Sequence, residues 1–124
     1  SWGKTRVKIV AGAILSHSFS AGIAPTSIEG RILQDADRLD AIGCTGIARC
    51  FYTAGQMASQ LYDRSDPRGV SRPLDDRSFA LDHFPLKLLR LADGFQTGAG
   101  RRLAAERARV LRGFYEGMLQ EISV

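Results

Sequence analysis

The chain has 124 residues, of which 44% are hydrophobic and 24% charged, a composition that suits one folded domain and excludes a disordered chain. Its formal net charge is +4, and most of its basic residues are arginine, whose guanidinium group suits phosphate or carboxylate partners. The acidic residues are interspersed and no aromatic ladder accompanies the arginines, which disfavours nucleic acid. No apolar run is long enough to cross a bilayer, so we expect no membrane partner.

Hydrophobic periodicity along the chain predicts an all-α fold. We expect a bundle of about five helices in a single domain over residues 1–124, because no run of alternating β-branched residues lasts long enough to indicate a strand. The first helix spans residues 6–16, and a loop punctuated by glycine and proline follows over 17–25. The apolar face of the first helix comprises Val7, Val10, Ala11, Ile14 and Leu15.

A capping box opens the second helix, where the hydroxyl of Thr26 and the carboxylate of Glu29 each satisfy a free N–H. This helix is expected to run to about Ile42 and to end near Gly43, since glycine is common just past helix ends. A helical wheel predicts its buried stripe. The stripe comprises Ile28, Ile32, Ala36, Leu39 and Ile42.

A third helix is expected to begin at Thr45 or Gly46 and to run to about Ser59. The polar stretch 63–77 follows and contains two prolines and a glycine. It is predicted to be a disordered loop.

Two helices are expected in the last third of the chain. Ser78 caps the first of them, which carries His83 and tolerates Pro85 near its start. Thr97 caps the last and longest helix, which runs to about Glu121. The arginines of the last helix are predicted to form a solvated face, balanced by its glutamates.

The second helix carries three aspartates, of which Asp35 falls inside the predicted buried stripe. A buried carboxylate is costly unless it is paired. Either Asp35 caps a neighbouring helix or pairs with an arginine, or one of the three aspartates Asp35, Asp37 and Asp40 faces a cation. Physical chemistry alone leaves these alternatives open.

Four stretches of the sequence resemble one branch of the HD-domain superfamily of metal-dependent phosphohydrolases. They are ILSHSFSAG, GRILQDADRLDAIGCTGIAR, HFPLKLLRL and RRLAAERARVLRGFYEGMLQE. In that superfamily a divalent ion such as Mn²⁺ or Mg²⁺ is held by a histidine, an adjacent His-Asp pair and a final aspartate in an Ala-Asp-Arg-Leu context. The resemblance implies that the final ligand is Asp37, and that Asp35 and Asp40 support the ligands and anchor helices.

The rest of the family's ligand set is missing. The chain has no His-Asp dipeptide, and its only histidines are His17 and His83. The chain therefore resembles the C-terminal part of such a protein, and we expect the metal position at Asp37 to be vacant and this chain alone to be inactive. A non-catalytic binding or structural helical module, acting as an oligomer, is the alternative.

Two residues are candidates for contact with a phosphate-bearing small molecule. His17 is expected near the metal cleft, although a loop histidine bonded to the backbone is the other interpretation. Arg38 lies beside Asp37, although a salt bridge to Asp35 or Asp40 would explain it as well. His83 is interpreted as a packed, structural histidine.

Two further expectations concern partners and compartment. Helix faces that pack on upstream helices in the resembling proteins would lie open here, so we expect a homo-oligomer, with a two-fold dimer favoured. Its contact would involve Val7, Val10, Ile14 and the neighbourhood of Leu33. The two cysteines lie in one predicted helix at a spacing unsuited to a disulfide, which favours reduced thiols and a cytoplasmic protein.

Overall fold

The computed structural model describes residues 3–16 and 26–123, and that part of the chain is all-α, as predicted. Its only pairing of extended backbone there is an isolated parallel bridge between Gln60 and Phe79. No described helix is long and apolar enough to span a membrane. Five α-helices are present in the described residues: α1 Lys4–Ser16, α2 Ile28–Leu39, α3 Gly43–Gln56, α4 Leu89–Leu91 and α5 Gly98–Ile122.

The ends of α2 differ slightly from those expected. Ser27, rather than Thr26, is the N-cap, and its hydroxyl accepts the N–H of Gly30 at 3.0 Å. The helix ends at Leu39, and α3 already begins at Gly43, because a sharp turn joins them. Gly43 has a φ of 70°, which a residue with a side chain rarely adopts, so glycine is required at this turn.

The core lies between α3, α5 and the segment that precedes α4. Phe84 is fully buried at its centre and stacks on Phe114 and Tyr115, with ring centroids 5.7 Å away in each case. Phe51 of α3 completes the aromatic group at 6.2 Å from Phe84. Aliphatic residues surround these rings, among them Ile42, Leu81, Leu88, Leu91, Leu111 and Leu119.

The prediction of disorder over 63–77 was wrong, because an arginine orders this loop. The guanidinium of Arg72 donates to both carboxylate oxygens of Asp82, at 2.6 and 3.1 Å, and its Nε lies 2.7 Å from Asp63. Hydrogen bonding to Asp82 raises the pKa of Arg72. The guanidinium also lies 4.6 Å above the ring of Phe79. Since Asp82 is 1% exposed, the loop is tied directly to the core.

The expected helix from Ser78 is absent. In its place are one turn that is tighter than an α-helix and one that is wider. Ser78 does not cap a helix, since its hydroxyl donates to Asp75 at 2.7 Å. The chain continues as a 3₁₀ turn, Ala80–Asp82, and a π-helical turn, Phe84–Leu88. Pro85 fits at the start of the latter because the first N–H groups of a helix need no partner inside it.

The N-terminal half of the predicted buried stripe of α2 is exposed, whereas Ile42 at its end is fully buried, and Val7, Val10 and Ile14 of α1 lie open as expected. Ile28 and Ile32 of α2 are 54% and 56% exposed, and Val7 and Ile14 of α1 are 54% and 58% exposed. The buried residues of α2 are instead Gly30, Gln34, Asp35 and Arg38. The helical wheel wrongly predicted that Ile28 and Ile32 are buried. The polar face of α2, rather than its apolar face, binds the start of α5, and the apolar face lies beside α1.

Candidate functional site: the aspartate segment of α2

Asp35 caps the N-terminus of α5. One carboxylate oxygen accepts the N–H of Gln96 at 2.7 Å, and the other accepts the N–H and the hydroxyl of Thr97 at 2.8 and 2.6 Å. Thr97 is itself the N-cap of α5, and its hydroxyl oxygen accepts the N–H of Gly100 at 2.9 Å. A carboxylate at a helix N-terminus satisfies free N–H groups and offsets the helix dipole. This explains why an aspartate lies on the buried side of α2.

Two arginines tie the other end of α2 to the same region. Arg38 is 5% exposed and donates through Nη1 to the carbonyl of Gly94, just before α5. Burial lowers the pKa of Arg38, and the negative charges of Asp35 and Asp37 oppose that shift. Arg107 of α5 donates through Nη1 to the carbonyl of Leu39, the last residue of α2. Asp35 of α2 therefore caps the start of α5, and Arg107 of α5 binds the last carbonyl of α2.

Asp37 and Asp40 are exposed, in contrast to Asp35. Asp40 follows the end of α2, and its carbonyl accepts Nη1 of Arg49 at 3.3 Å. Asp37 lies next to Ala36, which lines an apolar groove between α1 and α2. Asp37 is therefore exposed, whereas its neighbours Asp35 and Arg38 on α2 are held at the start of α5.

The groove between α1 and α2 is lined mainly by apolar side chains. It has a volume of about 380 Å³ and runs between the two helices. Its lining includes Val10, Ala13, Ile14, Ile32, Leu33 and Ala36. Glu29 is the charged residue at its wall.

Of the two candidate residues for phosphate contact, one lies outside the described residues and the other is buried. His17 lies outside the described residues, so its expected place beside Asp37 is not observed. Arg38 is buried against Gly94 rather than presented on the surface. His83 pairs through Nδ1 with Asp76 at 2.8 Å, in a different part of the fold.

The described residues do not by themselves fit a metal ion. Within residues 3–16 and 26–123, no three histidine, cysteine, aspartate or glutamate side chains lie close enough to hold one. Asp37 offers one hard oxygen donor, which suits Mn²⁺ or Mg²⁺ but does not complete a coordination sphere. No catalytic step through a metal follows from these residues.

Sequence reasoning missed the burial or bonding of three polar residues in this region. Gln34 and Arg38 were assigned to no buried face, and Arg107 was counted with a solvated arginine face. The carbonyl of Leu39, at the end of α2, needs a donor from outside its own helix, and Arg107 supplies one. This contact joins helices distant in the chain, so periodicity within one helix cannot reveal it.

No family model matches the sequence. The chain is 43% identical over 98 residues to the uncharacterized protein YpgQ of Bacillus subtilis (strain 168). It is similar to the crystal structure of YpgQ, with 39% identity, a TM-score of 0.75 and 98% of this chain covered. It resembles the crystal structure of YpgQ in complex with ADP equally well, with 37% identity and a TM-score of 0.74 over 98% of this chain.

A crystal structure from Bacillus thuringiensis, described as an HD-superfamily hydrolase, is 40% identical to the chain. Its TM-score is 0.67, and the match covers 79% of this chain. The chain spans only about half the length of these proteins. It covers 42% of YpgQ in the sequence comparison, 57% and 55% of the two YpgQ structures, and 48% of the HD-superfamily hydrolase.

Proposed function

We propose that this chain is a helical part of an HD-superfamily phosphohydrolase-like protein, in which Asp37 is the one metal ligand it supplies. The observation that carries the proposal is the arrangement of α2: Asp35 and Arg38 fix the helix on α5, while Asp37 between them is exposed. Ligands held on a rigid element bind a metal with less loss of entropy than ligands on a loop. The similarity to an HD-superfamily hydrolase supports the same assignment.

The substrate class that we propose for the whole protein is nucleotides or related phosphoesters. The crystal structure of YpgQ in complex with ADP supports this choice, since it matches 98% of this chain. We expect the chain alone to be inactive, because one carboxylate cannot hold a catalytic metal ion. The relatives are longer than this chain, so further metal ligands can lie in the parts of those proteins that this chain does not match.

The metal role of Asp37 is tested by paramagnetic broadening. Millimolar Mn²⁺ added to the ¹⁵N-labelled chain should broaden the amide signals around Asp37. The Asp37→Asn variant keeps the shape of the side chain and should lose that broadening, whereas Asp40→Asn, an equally exposed control, should retain it. Equal broadening in Asp37→Asn and the parent chain would contradict the assignment.

The inactivity of the chain is tested separately by turnover. Nucleoside triphosphate or p-nitrophenyl phosphate with Mn²⁺ should give no product above a buffer blank. Turnover that disappears in Asp37→Ala would keep the metal role and overturn the inactivity. Turnover that survives Asp37→Ala would indicate a different site.

We also propose that the groove between α1 and α2 binds a second copy of the chain. Large contiguous apolar surfaces are not normally left in water. Val7, Val10 and Ile14 of α1 are exposed, and so are Ile32 and Leu33 of α2. Four of them, Val10, Ile14, Ile32 and Leu33, line the same groove, and this supports an oligomeric role for the helical module.

Charge supports a second copy as the occupant. The charged residues of α1 are all basic and exposed, namely Lys4, Arg6 and Lys8. The exposed charges at the surface of α2 are mainly acidic and comprise Glu29, Arg31, Asp37 and the C-cap Asp40. A two-fold dimer that lays α1 of one protomer over α2 of its partner therefore brings opposite charges together around an apolar centre.

A further inference from the structure

A second cleft, unlike the apolar groove between α1 and α2, is lined partly by polar and charged side chains. It separates the C-terminal half of α3 from the segment 76–83 and has a volume of about 210 Å³. Thr53 of α3 lines one wall, and Arg77 and His83 line the other. A phosphate group or a small carboxylate fits a volume of this size.

His83 is held in one orientation. Its Nδ1 lies 2.8 Å from a carboxylate oxygen of Asp76, and this contact fixes the orientation of the ring. Its neighbour Phe84 is fully buried, and Asp82 on the other side is 1% exposed, so the backbone on both sides of His83 is anchored in the core. His83 also directly precedes the π-helical turn, and such turns are frequent at functional sites.

Three polar groups at this cleft have no hydrogen-bond partner among the described residues. They are Nε2 of His83, the guanidinium of Arg77 and the hydroxyl of Thr53. The backbone of Arg77 is nevertheless fixed, because its carbonyl accepts the hydroxyl of Ser59 at 2.5 Å and its N–H donates to Asp75 at 3.1 Å. All three groups donate hydrogen bonds, His83 when it is protonated.

Cys50 closes the inner end of the cleft but does not take part in covalent chemistry. Its thiol is directed to the carbonyl of Ala80 at 3.7 Å. Burial, with a contribution from the charge of Asp76, raises its pKa to about 11, so the thiol stays protonated at neutral pH. The cleft is therefore suited to binding rather than to nucleophilic attack.

We propose that this cleft binds a small oxyanion, a phosphoryl or carboxylate group, through His83, Arg77 and Thr53. His83 and Arg77 line the same wall of the cleft, where both can donate hydrogen bonds to an oxyanion. The assignment does not depend on Asp37 or on a metal ion.

The test follows the ring Hε1 signal of His83 by NMR, with pH titrations in chloride, inorganic phosphate and acetate at equal ionic strength. His83→Gln identifies the signal by its loss. Phosphate should raise the titration midpoint by about half a unit or more. If acetate raises it as far, the site takes oxyanions in general; if only phosphate does, the ligand is a phosphoryl group.

The exposed Arg77 gives the matched variant. Arg77→Gln should weaken phosphate binding at least about fivefold, whereas Arg112→Gln, which removes an equally exposed charge from α5, should leave it unchanged. An unchanged midpoint in both phosphate and acetate overturns the proposal. Equal losses in Arg77→Gln and Arg112→Gln also overturn it, because they indicate attraction to net charge alone. Circular dichroism of both variants checks that the fold is intact.

Discussion

The carboxylate of Asp35 accepts both the N–H and the hydroxyl of Thr97, at 2.8 and 2.6 Å, although the two residues are 62 positions apart in the chain. This contact attaches the middle of α2 to the first turn of α5. It also places the exposed Asp37 on a helix whose rotation is fixed. The structural role of one aspartate thus determines where its neighbour is presented.

Replacing Asp35 by alanine should destabilise the protein by about 2 kcal/mol, because three hydrogen bonds to a buried carboxylate and the cap of α5 are lost. Urea denaturation followed by circular dichroism measures this change. Asp37→Ala is the matched control on the same helix. Since Asp37 is exposed, its loss should cost less than about 0.5 kcal/mol.

Equal stabilities of the two variants would contradict this prediction. If Asp35→Ala and Asp37→Ala gave equal midpoints of unfolding, the cap seen at Thr97 would not contribute to stability. The anchoring of α2 on α5 would then have to rest on Arg38 and Arg107.

Substitution of two separate glycines of α5, Gly100 and Gly113, tests how closely Asp35 approaches that helix. A Cβ at Gly100 would lie 2.9 Å from Cγ of Asp35 and 2.8 Å from the hydroxyl of Thr97, so Gly100→Ala should destabilise by about 1–3 kcal/mol. A Cβ at Gly113 would meet nothing within 4 Å. Gly113→Ala should therefore stabilise α5 by about 0.5–1 kcal/mol, since alanine favours helix.

Thermal or urea unfolding of both variants gives the sign of each change. Opposite signs are expected from the same substitution in the same helix. A stabilising Gly100→Ala would mean that Asp35 lies farther from α5 than the structure places it.

The sequence predicted the class of fold and the long helices, but not the turns over 80–88 or the buried face of α2. The class of fold and the cap at Thr97 followed from local patterns, namely periodicity and a threonine before a long amphipathic run. The stripe containing Ile28 and Ile32 followed the same logic, yet both residues are exposed. A wheel reports which face is apolar, but it does not report whether another part of the chain covers that face.

The order of the loop 63–77 was also beyond local reasoning. Its glycine and prolines indicate turns, and turns alone do not distinguish a fixed loop from a mobile one. The contact that orders the loop joins Arg72 to Asp82, and Asp82 lies outside the loop in the chain. The site residues illustrate the same limit, since the Ala-Asp-Arg-Leu segment identified Asp37 but not the contacts that hold α2.

The two cysteines should differ sharply in reactivity. Cys44 is exposed, whereas Cys50 is buried with a pKa raised from 9.0 to about 11 by burial and by the charge of Asp76. Iodoacetamide at about pH 8 should therefore label Cys44 first, and Cys50 should react only at much higher pH or after unfolding. Mass spectrometry of tryptic peptides measures both rates, and Cys44→Ser isolates the reaction of Cys50.

The same shift gives a pH dependence of stability. Between pH 9.0 and about 11 the folded protein keeps a proton on Cys50 that the unfolded chain releases. Stability should therefore fall as pH rises through that window, and Cys50→Ala should reduce the slope. A slope unchanged by the substitution would show that other groups govern alkaline unfolding.

Dimerisation through the groove between α1 and α2 is testable by light scattering after gel filtration. The parent chain should have twice the mass of one chain at micromolar concentration, and Ile14→Asp or Ile32→Asp should give monomers, because each places a charge in the apolar centre. Val70→Asp is the control, since Val70 is 80% exposed and lies outside the groove.

A charge reversal tests the orientation of the proposed dimer. Lys8→Glu should weaken association on the order of tenfold, because it sets a glutamate of α1 against the acidic α2 of the partner. A monomeric parent chain would contradict the proposal and leave the groove to a different polypeptide. A dimer that survives both Ile14→Asp and Ile32→Asp would place the contact elsewhere on the surface, since neither helix could then lie at its centre.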